Sequence, residues 1–436
     1  MTYDWEKFGL HIPRIMIPKE GTDMTKWAVV ACDQFTSEPE YWDKVKKIVG
    51  DSPSTLNLIL PEIYLGQDGE AEKIAAIRDN MNQYMNDGTL ISLEPGCMLI
   101  KRTVDGRTRL GLVIAIDLES YDFSKTSSSL IRATEGTVIE RIPPRLRIRK
   151  DAPLELPHIM ILIDDPKKTV IEPLVNVTNT PMYDFNLMQN GGHITGTFIA
   201  EENLKGVKQA FSVLFEEAVN NYGAKSLILQ AIGDGNHSLA TAKTNWENLK
   251  KSLSPDEAKT HPARFALCEI ENIHDPGIIF EPIHRVLFAE NGQSGIEIVD
   301  ETVKLLNEQN GKAYRVNENA TEVPHDCFSI PFLTSEGKGQ IVIEEPSQKL
   351  EVGVLQTALD ILVKERGCVD IDYIHGSNTL NKLSNQRGNA GFLLPPMDKF
   401  LLFPAIAADG ALPRKTFSIG EAEEKRYYIE VRHIEK

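Results

Sequence analysis

An elaborated α/β or α+β fold is the class this 436-residue sequence predicts. Apolar runs of strand length and amphipathic stretches of helical length are mixed along the whole chain, which calls for sheets covered by helices. The clean β-α-β alternation that builds a doubly wound sheet is missing. No internal repeat and no low-complexity linker divides the chain, so nothing in the sequence marks a domain boundary.

Trp27 to Ala31 is a β-like run that ends at Cys32-Asp33-Gln34-Phe35, and Ser-Glu-Pro-Glu then starts a helix through Val45. A lone acid such as Asp33 at a strand end is more often a turn residue than a catalyst. Ala71 to Met85 is helical in pattern, and Pro95-Gly96 marks a turn. Cys97 to Arg102 and Arg109 to Ile116 form a hairpin around Asp105-Gly106. Leu156 to Ile163 is a strand closed by Asp164-Asp165-Pro166, and Leu204 to Asn220 is an amphipathic helix. Arg264 to Ile270 is a further strand, followed by EPIHRVLF, in which His284 reads first as a core or turn histidine. Glu297 to Gln309 and Leu355 to Arg366 are helices, and the tail from Tyr373 onward, LLFPAI included, reads as short strands and turns.

The stretch from Ser226 to Leu253 concentrates the chemistry. Leu227 to Ile232 is a buried strand by composition, and Leu239, Ala242, Trp246, Leu249 and Leu253 share one face of a helix. Between them, Gly233 and Gly235 bracket Asp234, and Asn236, His237 and Ser238 follow. A strand end facing a helix N-terminus exposes unpaired N–H groups and the positive end of the helix dipole, a seat for phosphate or carboxylate. The plain reading is a turn with Asn236 or Ser238 as N-cap. One cap would satisfy the helix, yet four polar candidates crowd the turn.

The segment IRATEGTVIERIPPRLRIRKDAP inverts the charge of an otherwise acidic chain. Arg141, Arg145, Arg147, Arg149 and Lys150 fall together around Pro143-Pro144. Such a run is usually a solvated loop; its functional reading is a loop folding over phosphate with guanidinium donors. Glu135 just before it is a base, a metal ligand, or an ion-pair partner of these arginines.

The net charge of −16 argues against broad nucleic-acid binding and against an anionic membrane surface. Cys32, Cys97, Cys268, Cys327 and Cys368 are scattered and odd in number, which is neither a disulfide framework nor a zinc ribbon. MTYDWEKFGL lacks the basic and apolar parts of a secretory signal, and a cytoplasmic protein is expected. P-loop, dinucleotide-binding, G-x-S-x-G and H-E-x-x-H motifs are all absent. The remaining inventory of carboxylates, histidines and guanidinium groups suits phosphoryl transfer, which needs cations, a base and carboxylates for Mg²⁺.

Seven pieces in order carry a family resemblance: the early strand with Asp33, IRATEGT with Glu135 and Thr137, GDGNHSLATAK, PIHRVLF, YIHG, GFLLPP and LPRKTFSIGEAEEKRYYIE. Over nearly its whole length the chain resembles the bacterial family called domain of unknown function 1015. The D-G-N/H-H element of that family looks like the D-G-H-H-R signature of the ParB/sulfiredoxin-like fold, some of whose members are free-serine kinases. Members also tend to accompany serine-biosynthesis genes. Here Asn236 and Ser238 stand where the commoner form has His and Arg, so phosphate binding falls to Arg285, Arg145 or Lys415.

The resemblance implies a ParB/sulfiredoxin-like core over residues 1–265 and a family-specific α+β portion over 266–436. It also implies a cytoplasmic phosphotransferase or phosphatase acting on serine or phosphoserine, with Mg²⁺ and with ATP or ADP as co-substrate. Asp234 would hold metal or polarise the acceptor, His237 would bind phosphate or shuttle a proton, and Glu135 would be the base. Asn236, Ser238, Arg141, Arg145, His284, Arg285 and Lys415 would bind substrate and phosphate. A small-molecule substrate is expected, with neither nucleic acid nor membrane as partner. A non-catalytic nucleotide or amino-acid sensor is the rival reading, and a ParB-like nucleic-acid-binding protein the weaker one.

Overall fold

A computed structural model describes residues 5–177, 180–289, 292–309, 312–317, 327–346, 348, 350–366 and 369–435. Met1 to Asp4 and Cys368, both read above from sequence, lie outside these described residues. The chain is mixed α/β and divides into two compact units. The first comprises residues 1–279, 402–411 and 419–436, and the second 280–401 and 412–418.

The first unit is built on a mixed sheet with the strand order Tyr183–Asn186, His193–Ala200, Leu90–Val104, Arg107–Asp117, Phe265–Asn272, Met160–Ile163, Gln230–Asp234, Ile131–Arg132 and Tyr121–Asp122. Neighbours are antiparallel on one side, whereas Phe265–Asn272 runs parallel to Met160–Ile163, and Gln230–Asp234 parallel to Ile131–Arg132. Both faces of the central strands are covered, so apolar runs such as residues 112–116 and Met160–Ile163 are buried throughout, and the Phe265–Asn272 strand buries Glu269 and Glu271 as well. Leu112, Ile114 and Ile116 join one core with Phe211, Leu239 and Trp246, while Val113 joins the other with Trp27, Trp42 and Tyr428. The two-residue period of the strand sends alternate side chains to opposite faces. Helices Lys205–Tyr222 and Asn236–Lys250 supply the first core, and helices Pro39–Val49 and Glu70–Asn86 the second.

Local chemistry explains where the elements depart from the sequence reading. Pro95-Gly96 is no turn: the Leu90–Val104 strand runs through it. Proline lies beside a bulge where the ladder with Arg14–Pro18 shifts register, and a Cβ on Gly96 would meet the Ile199 carbonyl at 2.5 Å. The hairpin turn is Asp105-Gly106, both at positive φ, 47° and 75°, as the right-handed strand twist requires. The arginine-rich stretch is a helix, Ile142–Arg149, rather than a loop. Its prolines fall in the first turn, where a missing N–H costs nothing. Trp27 closes a short helix, leaving only Val29–Val30 as strand, and LLFPAI belongs to a helix, Leu402–Asp409.

The second unit holds a sheet in the order Ala313–Asn317, Gly337–Ile343, Phe328–Thr334, Asn389–Phe392, Phe280–Ala289, Val369–His375. Every pairing along that path is antiparallel. Helices Gly295–Glu308 and Glu351–Ile361 bury Ile298, Leu305, Leu355 and Leu359 in its core. No described helix is long and apolar enough to cross a membrane.

Candidate functional site

The strand Gln230–Asp234 ends on the residue the sequence singles out, and the helix Asn236–Lys250 starts two residues later. Leu227 to Leu229 are buried, but the neighbouring strand begins only at Ile131, so pairing starts at Gln230. Gly235 is the N-cap, at φ 82° and ψ 26°, and no side chain caps the helix. Asn236 and Ser238 therefore lie inside the first turn, and neither is the cap. The left-handed backbone at Gly235 turns the chain, and the first N–H groups of the helix keep no intrahelical acceptor.

Around this turn the side chains are held closely. Asp234 Oδ1 accepts the Gly235 N–H at 2.9 Å, and its Oδ2 lies 3.4 Å from Lys425 Nζ. Lys425, nearly buried, also donates to the Ile419 carbonyl at 3.0 Å. His237 Nε2 accepts the Val138 N–H at 3.2 Å. Asn236 Nδ2 lies 3.4 Å from Thr134 Oγ1, whereas Asn236 Oδ1 and Thr137 Oγ1 are buried without a partner among the described residues. Glu135 is half-buried in the connection after the Ile131–Arg132 strand.

Ser238 opens a second set of contacts that local sequence does not announce. Its Oγ lies 2.7 Å from His158 Nε2, and His158 Nδ1 lies 2.8 Å from the Tyr428 hydroxyl. That hydroxyl accepts the Cys32 N–H at 3.2 Å. Ser238, His158, Tyr428 and Cys32 all line a cavity of about 140 Å³, with Glu62 and Arg145 also in its wall. Arg145 grips Glu62 at 2.5 Å and donates to the Arg141 carbonyl at 2.7 Å.

The carboxyls here are driven in opposite directions. Burial pushes Glu62 upward, the Asp33 charge adds to it, and Arg145 only partly offsets both. Asp33 is half-buried and carries a desolvation cost, but nearby His158, the Gln34 amide, Lys425 and Arg145 outweigh that and hold its carboxyl below the usual range. Asp33, read from sequence as a plain turn residue, thus belongs to the electrostatics of the cavity. His158, Glu62, Lys425 and Tyr428 were not singled out by the sequence at all. Only the density of Lys, Arg, Tyr and Glu in KRYYIE was a visible signal, since so polar a stretch is seldom buried.

Of the remaining arginines of the Ile142–Arg149 helix and its approach, Arg141 is exposed, Arg147 pairs with Glu70 at 2.7 Å, and Arg149 pairs with Glu155 in the lining of the same cavity. In the second unit, His284 is buried and its Nδ1 accepts the Leu394 N–H at 3.2 Å. Arg285 is fully buried and donates to Gln356 Oε1 at 3.0 Å and to the Arg414 carbonyl at 3.1 Å. Lys415 is exposed at φ 57°.

Among the described residues, no group of three His, Cys, Asp or Glu side chains is placed to hold a metal ion. Mg²⁺ commonly takes one or two carboxylates and fills its shell with water and phosphate oxygens. Asp234 offers one carboxylate beside the uncapped helix end, which fits an ion arriving with a phosphate rather than a closed resident site.

A search of curated proteins finds no match. Among solved structures, a conserved hypothetical protein from Pyrococcus furiosus shares 9% identity at a TM-score of 0.38, covering 74% of this chain and 95% of that one. A free serine kinase in complex with AMP shares 8% at 0.38, covering 74% and 91%. SbnI with a C-terminal truncation, from Staphylococcus aureus, shares 10% at 0.35, covering 71% and 82%. The family described as "Protein of unknown function (DUF1015)" matches residues 16–366, most of the chain, and the protein belongs to it.

Proposed function

We propose that the first unit carries out phosphoryl transfer to or from a small hydroxy amino acid, with serine and phosphoserine the first pair to assay. The observation that carries this is the uncapped N-terminus of the Asn236–Lys250 helix, flanked by Asp234 and Lys425, whose third residue, Ser238, touches His158 in a cavity. Free N–H groups and an ammonium group suit the equatorial oxygens of a phosphoryl group. In the kinase direction the acceptor oxygen bonds to phosphorus, the bond to the nucleoside diphosphate breaks, and the hydroxyl proton passes to a protein base. His158 in the cavity lining, and Asp33, whose carboxylate interacts with it, are the candidates for that proton, and Glu135 is the further candidate. Asn236 and His237, in the first turn of the helix, would bind the phosphate. A Mg²⁺ ion held by Asp234 and the phosphates would neutralise charge on the transferred group. Arg141, Arg145, His284, Arg285 and Lys415 are not needed for these steps.

The test is phosphate exchange among serine, phosphoserine, ADP and ATP with Mg²⁺, on the purified protein and on Asp234→Asn. Turnover in the wild type that collapses in the variant supports the reading. Absence of exchange in every pairing, with nucleotide or amino acid still bound, favours the sensor.

A further inference from the structure

The cavity beside Ser238 has a composition that a serine-sized ligand does not explain. Leu58, Leu60, Met81, Ile148, Leu156 and Ile159 supply apolar walls, and the polar lining includes Glu62, Arg145, His158, Ser238 and Tyr428 together with the pair Arg149 and Glu155. Its volume of about 140 Å³ is close to the roughly 150 Å³ at which an apolar cavity accepts a benzene ring. Serine has a hydroxymethyl side chain and would leave such walls facing water. An apolar wall returns free energy only when apolar surface covers it.

The polar groups fit the other half of an amphipathic ligand. Arg145 and Glu62 face each other at 2.5 Å, and Arg149 pairs with Glu155 in the same lining, so the wall presents two guanidinium–carboxylate pairs. An amino-acid zwitterion carries the complementary pair, its carboxylate for Arg145 and its ammonium for Glu62. The Ser238–His158–Tyr428 chain lies on the same wall, where a hydroxyl on the ligand would find both a donor and an acceptor.

We propose that this cavity binds a hydroxy amino acid whose β-carbon carries an apolar group about the size of one six-membered ring. Its zwitterion lies at Arg145 and Glu62, and its hydroxyl at His158. This rests on the phosphoryl-transfer reading for the role of the hydroxyl, but the binding claim stands on the cavity alone.

The experiment measures binding by calorimetry, so it does not depend on turnover. The probes are threo-3-phenylserine, L-serine and adenosine, titrated into the full chain. Phenylserine is expected to bind at least about tenfold tighter than serine, the scale on which pockets discriminate apolar groups. Ala152 also lines the cavity, and Ala152→Leu fills it without exposing a polar group. That variant should lose the preference for phenylserine while unfolding at the same temperature or higher. Met81→Trp is a second filling variant should Ala152→Leu fold poorly. Equal or tighter binding of serine overturns the proposal and leaves phosphoryl transfer standing. Adenosine binding that is lost in the filled variant also overturns it, since the cavity then takes a nucleobase. If phenylserine binds as expected and no phosphate exchange occurs, the binding site stands and the transfer reading falls.

Discussion

Ser238 Oγ and His158 Nε2 lie 2.7 Å apart, although 80 residues separate them in the chain. Ser238 comes from the first turn of a helix, and His158 from the segment entering the Met160–Ile163 strand, next to Gln230–Asp234 in the sheet. Sheet pairing therefore creates the contact. His158 is further oriented by the Tyr428 hydroxyl at 2.8 Å on its other ring nitrogen.

If His158 takes the acceptor proton, His158→Asn should lower kcat by a factor of about 10² to 10⁴, the usual worth of a positioned general base. Tyr428→Phe removes only the orienting hydroxyl and should cost less, with KM nearly unchanged. Ser238→Ala should leave kcat within about tenfold, because serine is a neighbour of the base and not the base itself. Phosphate exchange on the three variants checks the order, and a His158→Asn protein with wild-type kcat removes His158 from the mechanism.

Asp234 and Lys425 form the second test. Asp234→Asn keeps the turn geometry and removes the charge, so the fold should survive and exchange should fall about a hundredfold. Lys425 is more enclosed than its partner, with a side chain 8% exposed against 25%. Lys425→Met should therefore also lose activity, and the double variant should be no worse than the poorer single one. Additive losses in that double-mutant cycle would show that the two residues act independently.

The junction was legible because its signals are local: a glycine-bounded apolar run, then an apolar stripe at helical spacing. The mixed class was legible for the same reason, since period two and period 3.6 are written in the chain itself. What the local pattern does not contain is which strand neighbours which. The tail is the clearest case: Tyr427–Tyr428 pairs with Val29–Val30 from the opposite end of the chain, which brings Tyr428 to Cys32 and His158. The arginine stretch misled because a dense run of charge reads as solvated, whereas Arg145, Arg147 and Arg149 each find a carboxylate contributed by a distant segment or by the following strand. Pro95-Gly96 misled because bulges and close backbone approach use the same residues as turns.

Gly235 offers a stability test of the junction. Its φ of 82° disfavours any L side chain, and an added Cβ would meet Ile159 Cα at 3.1 Å. Gly235→Ala should destabilise the protein by about 1–2 kcal/mol from the left-handed backbone alone. Urea unfolding measures it, and an unchanged midpoint would mean the turn relaxes to another conformation.

Glu271 sets a pH dependence. Burial raises its pKa to about 8, the carboxylates of Glu269 and Asp275 add to the effect, and Arg109 at 2.8 Å opposes it. Between the usual glutamate pKa of 4.5 and about 8, the unfolded chain is ionised here while the folded one holds its proton. The folded state then binds more protons, so this group's contribution to stability falls as pH rises through that window and is constant above it. Glu271→Gln should flatten that decline. Thermal unfolding of both proteins at pH 5, 6, 7 and 8 is the measurement, and parallel curves would contradict the assignment.

Arg426 anchors the C-terminal segment inside the first unit and gives the last test. It is almost fully buried and reaches both Glu269, on the central strand Phe265–Asn272, and Glu430, four residues on. Glu430 in turn accepts the Tyr183 hydroxyl, so one guanidinium neutralises two acids at the centre of a buried network. The attraction between these groups is partly cancelled by the cost of taking them out of water, and the intact cluster contributes little net stability. Removing one member is different, because it strands like charges in a place water does not reach. Arg426→Met keeps most of the side-chain volume and should cost about 3–5 kcal/mol, the loss seen when a buried pair is broken. Replacing Arg426, Glu269 and Glu430 together by Met, Leu and Leu should recover most of that loss. Because Lys425 precedes Arg426 and Tyr428 lies two residues after it, the single variant should also weaken exchange by loosening their hold on Asp234 and His158. Denaturant unfolding of the single and triple variants decides it: a triple variant no more stable than Arg426→Met would show that the ion cluster itself holds the segment.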